Sequence, residues 1–323
     1  MGPVFQPPVP KVSVGIPTYN RPEGLRKTLQ CITAQNFRDL EIIVSDNCSP
    51  SPEVQSVILE FASSDPRIVS IHQPENLGAL RNFFYVARQA RGRYFMWAAD
   101  DDWWDPDFIA TAASLLDKTP SAVIGLPRFV PFLTLGQPPK RLPPSFDKIR
   151  EFEHQPLFDR LLRYIYQKEV YGKAHIIYGL MRREQTIAAI DQTLEIISPL
   201  TDAYSFNSLD TVFNAVLLSQ GDLVTDERCL RRYHHAPRRS DTKKARGFIQ
   251  RLLGYDQTAI IYFDCFYPLI ESLKLTTQEK NRLRRAVQYR KFSFIMERIG
   301  RRLLVYKIYW HFKKRLCFKP VVA

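Results

Sequence analysis

The sequence predicts an α/β fold, with a mostly parallel central sheet and helices on both faces. Short apolar runs alternate with segments that carry apolar residues at helical spacing, from residue 11 to about residue 126. Such alternation builds parallel strands joined by right-handed crossovers. Polar residues directly follow several of the apolar runs, and open parallel sheets bind ligands beyond the carboxyl ends of their strands. The pattern therefore predicts both a fold class and the edge of the sheet where a ligand would bind.

The predicted elements begin after a proline-rich leader at residues 1–10. Residues 11–16 (KVSVGI) form the first strand, and a helix starts near Pro22 because leucine and isoleucine recur at i, i+4 and i+7. Residues 40–45 (LEIIVS) form a second buried strand. Later elements of this half are a helix around residues 54–61, a strand at 67–71, a helix at 78–90, and strands at 93–99 and 121–126.

The most informative stretch is residues 93–106, RYFMWAADDDWWDP. An apolar strand ends there in three consecutive carboxylates, Asp100, Asp101 and Asp102. Asp105 and the proline after it are typical of a helix N-cap and first helical position. The carboxylates would therefore occupy a tight turn between a strand and a helix.

Three adjacent carboxylates beside two tryptophans repel one another, so one must take up a proton or a cation must neutralise them. Mg²⁺ and Mn²⁺ suit this role because such hard ions take oxygen ligands. The alternative is a solvated acidic loop before a helix, whose N-terminus favours negative charge. The ends of two other strands favour a ligand site, since they carry Thr18, Asn20, Arg21, Asp46 and Asn47.

Four motifs resemble the successive signatures of family 2 glycosyltransferases with the GT-A fold: VSVGIPTYNR, EIIVSDNCS, ENLGALRN and RGRYFMWAADDDWWDP. The resemblance is dense over residues 11–126 and weaker to about residue 240. It implies a nucleotide-diphosphate sugar donor, with UDP and dTDP both compatible, because SDNCS stands where the commoner pattern reads DDGS. Members that build bacterial O-antigen, capsule or exopolysaccharide show similar variants. No glycine-rich motif of dinucleotide-dependent dehydrogenases or P-loop proteins is present.

The resemblance also assigns residues to roles. Asp46 would accept a hydrogen bond from the base, and Asp102 would hold a divalent metal, Mn²⁺ or Mg²⁺, on the diphosphate. A histidine near the end of the second half, His234 or His235, would be a further metal or diphosphate ligand. The remaining predicted nucleotide-sugar contacts are Pro17, Thr18, Asn20, Arg21, Asn47, Arg81, Asp100 and Asp101.

The second half, residues 127–242, is predicted to bind the acceptor. It begins with a proline-rich connection at 127–150, followed by a helix at 152–167, a buried strand at 175–181 and a strand at 223–233. Asp210 opens a helix, and by resemblance it would be the general base of an inverting transfer, with Asp202 in reserve. Taken without the resemblance, Asp210 is an aspartate that satisfies a helix N-terminus.

The basic charge of the chain is concentrated at its C-terminal end. Residues 274–323 contain 15 Lys or Arg and two acids, so they carry the whole formal net charge of +13. Helical periodicity continues from about residue 248, and residues 243–323 are predicted to form a basic helical extension. Basic and aromatic residues on one helix suit an anionic membrane surface. Packing on the catalytic domain is an alternative, whereas no nucleic-acid-binding module is recognisable.

The N-terminus resembles no signal peptide, and no apolar run is long enough to span a membrane. The five scattered cysteines show no disulfide spacing, so we expect them to be reduced. These features predict a cytoplasmic transferase, peripheral on the inner face of the membrane, that acts on a glycan or lipid-linked glycan. The alternatives are a sugar nucleotidyltransferase and a catalytically silent binding protein of the same fold, docked to a membrane or nucleic acid.

Overall fold

The structure, a computed structural model, describes residues 8–100, 102–132, 145–168, 171–200, 208–234 and 258–300. The chain divides into two compact units, Met1–Pro237 and Arg238–Ala323. Within the described residues, every strand lies in the first unit, and the second unit is helical. The predicted α/β architecture with a helical C-terminal region is confirmed.

The sheet of the first unit has the strand order β3-β2-β1-β4-β7-β6-β8-β5. The first four strands in this order are parallel, β7 runs antiparallel to both of its neighbours, and β6 pairs with β8 in parallel. A short strand, β5, pairs antiparallel with β8 at the edge. The strands are β1 Val12–Thr18, β2 Leu40–Asp46, β3 Ile68–His72, β4 Tyr94–Trp97, β5 Trp103–Trp104, β6 Ala122–Phe132, β7 Leu180–Arg182 and β8 Asp222–His234.

The helices of the first unit connect these strands. They are α1 Pro22–Thr33, α2 Pro52–Ser64, α3 Ala79–Arg88, α4 Phe108–Lys118, α5 Ser145–Arg150, α6 Leu157–Tyr166, α7 Arg183–Ile197 and α8 Leu209–Gln220, with a 3₁₀ helix at Lys173–Tyr178. The second unit contains α9 Thr258–Asp264, α10 Phe266–Ser272 and α11 Thr277–Gly300. No helix in these described ranges is long and apolar enough to cross a membrane.

The core lies between the central strands and the helices that cover them. Strands β2 and β4 are buried along their whole length, which explains why apolar residues predominate in both and do not alternate with polar ones. Helix α1 buries Leu25, Leu29 and Ile32, the three positions that predicted it. Fully burying one such side chain stabilises the fold by about 1.5–3 kcal/mol. The central strands therefore give the site a rigid base.

The prediction that Asp105 caps a helix was wrong. Residues Trp103–Trp104 pair with β8 as β5, and α4 begins only at Phe108, after Asp107. The side chain of Gln35 donates to the carbonyl oxygen of Asp105 at 2.7 Å and accepts from the N–H of Ile109 at 3.0 Å. The amide oxygen of Gln35 thus satisfies the N–H of Ile109, one of the helix N-terminal donors that a capping aspartate would otherwise satisfy.

The prediction of a strand at residues 175–181 was also wrong for most of these residues. The segment forms the 3₁₀ helix Lys173–Tyr178, and only β7, from Leu180, is extended. A short apolar run does not distinguish a buried strand from a buried helical turn. The helix predicted at 152–167 begins later, at Leu157 after Pro156, whereas the strand predicted at 121–126 continues to Phe132. The strand predicted at 223–233 is confirmed as β8.

Candidate functional site

The carboxyl ends of β1, β2 and β4 meet at one edge of the sheet, because the three strands are parallel neighbours. Thr18 at the end of β1 pairs with Asp46 at the end of β2. On the other side, the hydroxyl of Thr18 donates to Asp100 Oδ2 at 3.0 Å. The strand ends that the sequence marked as polar therefore lie together.

A cavity of about 390 Å³ opens at this edge. Five of the predicted nucleotide-sugar contacts line it: Pro17, Thr18, Arg21, Asn47 and Asp100. The sequence did not indicate the other lining residues, which are Tyr19, Ala79, Asn82, Phe83, Ala99 and Tyr178. Two of these, Tyr19 and Asn82, lie next to predicted residues in the PTYNR and LGALRN motifs. This position in the motifs is the sequence feature that could have identified them.

Asp100 is the carboxylate of the cavity wall, and it is only 8% exposed. Arg21 Nη1 donates to its Oδ1 at 3.0 Å, while Thr18 bonds to its Oδ2. The Arg21 side chain remains 56% exposed. A guanidinium that is held at one end by Asp100 and remains open to solvent is suited to bind an anionic group of a ligand.

Asp46 lies under the loop that follows β2 and is fully buried. Its Oδ1 accepts hydrogen bonds from the backbone N–H and the hydroxyl of Ser49, and its Oδ2 accepts from Gln55 Nε2 at 2.7 Å. The ring nitrogen Nδ1 of His72 is 2.9 Å from the same Oδ2. Asp46 therefore shapes the loop, and the predicted hydrogen bond to a base stays a prediction.

Asn47 and Asn82 organise the floor of the cavity. The amide of Asn47 accepts from the N–H of Leu77 at 2.9 Å, which holds the loop before α3 against β2. Asn82 donates to the carbonyl oxygen of Ser45 at 2.9 Å and accepts from the Ser45 hydroxyl at 2.6 Å. These hydrogen bonds satisfy the buried amides of Asn47 and Asn82, and a satisfied buried network holds its side chains in one geometry.

Two predicted residues lie beside the cavity and are not among the residues that line it. Asn20 is exposed and has a φ of 53°, a left-handed conformation that asparagine tolerates better than most residues. Arg81 is exposed on α3, one position before Asn82. Asp101 lies outside the described residues, so its predicted role stays a prediction.

Asp102 forms a buried ion pair with Arg231 of β8. Arg231 Nε donates to Asp102 Oδ2 at 3.1 Å, and Nη2 donates to the same oxygen. The side chains are 5% and 1% exposed, respectively. The sequence did not single out Arg231, because one of three arginines in a strand that also carries three acids gives no local signal of burial.

The predicted metal site lies only partly within the described residues. Of its three residues, only Asp102 has a described side chain, since that of His234 and the whole of His235 lie outside the described part. Within that part, no group of three or more His, Cys, Asp or Glu residues is placed to hold a metal ion. The described side chains by themselves do not fit a divalent ion, because the Oδ2 of Asp102 is bound to a guanidinium.

Asp210 is in the first turn of α8. Its Oδ1 accepts from the backbone N–H of Thr211 at 2.7 Å and from the Thr211 hydroxyl at 3.2 Å. Burial raises the pKa of the Asp210 carboxyl, although these hydrogen bonds and the charge of Lys173 oppose the rise. A carboxylate with a raised pKa is a stronger base. Asp202 lies outside the described residues.

The aromatic core connects α8 to the acidic turn. Phe213, three residues after Asp210, packs edge to face on Trp97 with ring centroids 5.5 Å apart. Trp97 is the last residue of β4 and also stacks on Phe83 of the cavity wall at 4.6 Å. The start of α8 is thus packed, through these rings, against the strand that leads to Asp100.

The chain resembles known proteins in both sequence and fold. A family model described as glycosyl transferase family 2 matches residues 13–183, more than half of the chain. A GalNAc(5)-diNAcBac-PP-undecaprenol beta-1,3-glucosyltransferase of Campylobacter jejuni is 39% identical over 95 residues, 29% of this chain and 30% of the relative. The putative colanic acid biosynthesis glycosyl transferase WcaA of Escherichia coli is 33% identical over 99 residues, 30% of this chain and 35% of the relative. The matches thus span about a third of each relative.

Similar solved structures support the fold. The structure of S. aureus TarS 1-349 in complex with UDP-GlcNAc has a TM-score of 0.59 at 17% identity, covering 89% of this chain and 74% of that one. Mannosyltransferase PcManGT from Pyrobaculum calidifontis, in complex with GDP-Man and Mn²⁺, has a TM-score of 0.53 at 16% identity and covers 97% and 77%. At these identities the likeness shows the GT-A fold alone.

Proposed function

Because the chain belongs to glycosyl transferase family 2, we propose that it transfers a sugar from a nucleotide diphosphate donor to a hydroxyl group of a glycan or lipid-linked glycan. The observation that carries this proposal is the cavity of about 390 Å³ at the ends of β1 and β4, which lies within the matched residues. Its wall combines Asp100, Arg21 and the aromatic ring of Tyr19. These groups suit the hydroxyls, the phosphates and the base of a nucleotide, respectively.

The proposed donor is a UDP- or dTDP-sugar. The complexes of TarS with UDP and with UDP-GlcNAc support a uridine nucleotide in a fold of this kind. Because the archaeal mannosyltransferase binds GDP-Man, GDP is included in the binding measurement below. Thr18 and Arg21 would bind the nucleotide together with Asp100, while Asn47 and Asn82 would form the floor beneath it.

The proposed reaction is inverting. The acceptor hydroxyl would attack the anomeric carbon of the donor and form the new glycosidic bond. The bond between that carbon and the diphosphate oxygen would break, and the nucleoside diphosphate would leave with the electron pair. Asp210 would take the proton of the hydroxyl, a role that its raised pKa favours.

A divalent ion, Mn²⁺ or Mg²⁺, remains part of the proposal, with Asp102 and His234 or His235 as its ligands. When bound, such an ion would offset negative charge on the leaving diphosphate. The Mn²⁺ in the archaeal mannosyltransferase supports its inclusion. We assign no step to the metal, because the described part of the chain holds Asp102 with a guanidinium.

The proposed setting is cell-surface polysaccharide biosynthesis at the cytoplasmic face of the membrane. The names of the Campylobacter and Escherichia relatives support the pathway and a lipid-linked acceptor. The charge of residues 274–323 supports contact with an anionic membrane surface. No nucleic-acid partner is proposed.

The donor is tested by thermal shift with UDP, dTDP, GDP and CMP, each with and without Mn²⁺. A nucleotide at a hundred times its dissociation constant stabilises the folded protein by about 2.7 kcal/mol, which raises Tm by several degrees. We expect one diphosphate to raise Tm and the shift to disappear in Asp102→Ala. Donor hydrolysis should be lost in the same variant.

A folded protein whose Tm changes with none of these nucleotides would contradict the proposal. It would favour the alternative of a catalytically silent binding protein. Release of pyrophosphate from a nucleoside triphosphate and a sugar phosphate would instead identify a nucleotidyltransferase. A Tm shift that needs no Mn²⁺ would support the proposed transferase but contradict the proposed metal dependence.

A further inference from the structure

The ion pair between Arg231 and Asp102 joins the two halves of the first unit at the acidic turn. Arg231 lies opposite Trp104 in the antiparallel pairing of β5 with β8. Its guanidinium reaches the carboxylate two residues before that tryptophan, where Nε and Nη2 both donate to Oδ2. The contact spans 129 residues of sequence, so it is made only by the tertiary fold.

Three aromatic rings surround the guanidinium of Arg231. Its central carbon lies 4.2 Å from the ring centroid of Tyr178, 4.8 Å from that of Trp104 and 5.9 Å from that of Phe129. A planar, weakly hydrated cation stacks on such faces, whereas a lysine ammonium would be a strongly hydrated point charge. The environment therefore selects arginine.

Tyr178 is the link between Arg231 and the donor cavity. It lines the cavity and meets the ring of Phe83, another cavity residue, edge to face at 6.5 Å. Arg231 thus contacts both a wall of the cavity and the carboxylate predicted at its diphosphate end. At 1% exposure it is too buried to serve as a contact for the phosphates.

We propose that Arg231 is a positioning residue for the donor: it fixes the Asp102 carboxylate in one orientation and holds Tyr178 in the cavity wall. This inference rests on the proposed function, since it assigns Arg231 to the nucleotide-diphosphate site. The physical basis is that a buried carboxylate needs a counter-charge, and a guanidinium held between rings supplies it in one geometry.

The test is a double-mutant cycle on nucleotide affinity. Isothermal titration is run with Mn²⁺ throughout, using whichever of UDP, dTDP and GDP the wild-type protein binds. We expect Arg231→Met and Asp102→Asn each to weaken nucleotide binding by about ten- to a hundredfold, the scale on which loss of a partner that orients a binding group acts. The double variant should be little weaker than either single variant, because the two residues act as one unit.

Arg160 provides a matched control. It is 5% exposed, forms an ion pair with Asp222 and donates to the carbonyl oxygen of Leu218 at 2.8 Å, and it is not among the cavity-lining residues. Arg160→Gln should lower Tm and leave nucleotide affinity within about twofold, the scale of an independent site. If Arg231→Met does not fold, Arg231→Lys replaces it, with weaker binding still expected because Lys lacks the planar fork.

The outcomes separate the inference from the proposed function. If the wild-type protein binds none of the three diphosphates, the proposed function and the inference both fail. If it binds one, but Arg231→Met or Arg231→Lys retains wild-type affinity, the inference alone is wrong. The inference alone is also wrong if the fold-losses of affinity in the two single variants multiply in the double variant, because the two residues then act independently. A stability loss equal to that of Arg160→Gln, without a change in affinity, would give Arg231 a purely structural role.

Discussion

Asp210 is the residue on which the proposed chemistry depends most directly. Its carboxyl is bonded to Thr211, and burial raises its pKa above the ordinary value of 3.8. A general base must be ionised, so kcat/KM should fall as the pH is lowered through this raised pKa. We expect Asp210→Asn to reduce kcat by about 10²–10⁴-fold and to remove that acid limb, with KM for the donor little changed.

The measurement is a pH profile of sugar transfer for both proteins, with Tm recorded at pH 7. Because the folded-state pKa is raised, ionising Asp210 destabilises the fold as the pH rises above the unfolded value, so asparagine should leave Tm unchanged or higher. Asp159, a first-turn aspartate of α6, is the matched control, and Asp159→Asn should behave as wild type. An unchanged kcat in Asp210→Asn would remove Asp210 from the mechanism.

At the scale of elements, the close approach of α1 to the acidic turn is decisive for the site. A Cβ built on Gly24 would lie 2.1 Å from the carbonyl oxygen of Asp100, so no larger residue fits without movement of the turn. Gly to Ala within a helix ordinarily stabilises by about 1 kcal/mol. Here we expect the opposite sign: Gly24→Ala should lower both Tm and nucleotide affinity.

This prediction is checked by thermal unfolding with and without nucleotide. Gln30 of α1 is exposed, and Gln30→Ala should leave nucleotide affinity at the wild-type value. A higher Tm for Gly24→Ala with unchanged affinity would mean that the turn moves freely and does not depend on α1. The sequence placed Gly24 in a helix but did not indicate this contact, because the turn it meets is 76 residues away.

At the scale of the whole molecule, the C-terminal charge is the basis of a membrane prediction. Helix α11 exposes Tyr289 and Phe292, which are 56% and 60% exposed, on the same side as the exposed Arg282 and Arg285. Cations near an anionic surface contribute about 1 kcal/mol each, and apolar rings add burial in the interface. We expect the full chain to bind vesicles of phosphatidylglycerol and phosphatidylcholine, but not phosphatidylcholine alone.

Vesicle sedimentation tests this, and binding should weaken at high salt because screening shortens the reach of the charges. The variant Tyr289→Ser with Phe292→Ser should bind more weakly than wild type. Leu59→Ser, at an equally exposed apolar position of α2 in the first unit, should bind like wild type. Equal binding to both kinds of vesicle would contradict an electrostatic membrane surface.

The sequence by itself determined the fold class, the family and five of the residues that line the cavity. Buried strands and amphipathic helices carry local periodicities, and the polar residues at strand ends, such as Thr18 and Asp100, follow those strands directly. Parallel pairing then brings such ends together without further information. The starts of β6, α1 and β8 were predictable for the same reason.

Only the tertiary structure decided what each polar group contacts. The predicted hydrogen bond of Asp46 to a base stays a prediction, and the fold adds the bonds of its oxygens to Ser49 and Gln55. Asp102 is predicted to hold a metal, which stays a prediction, and the fold pairs its carboxylate with Arg231, which is 129 residues away. Periodicity reports which side of an element faces the core, whereas the partner of a buried charge depends on which distant strands become neighbours, and that is settled only when the whole sheet forms.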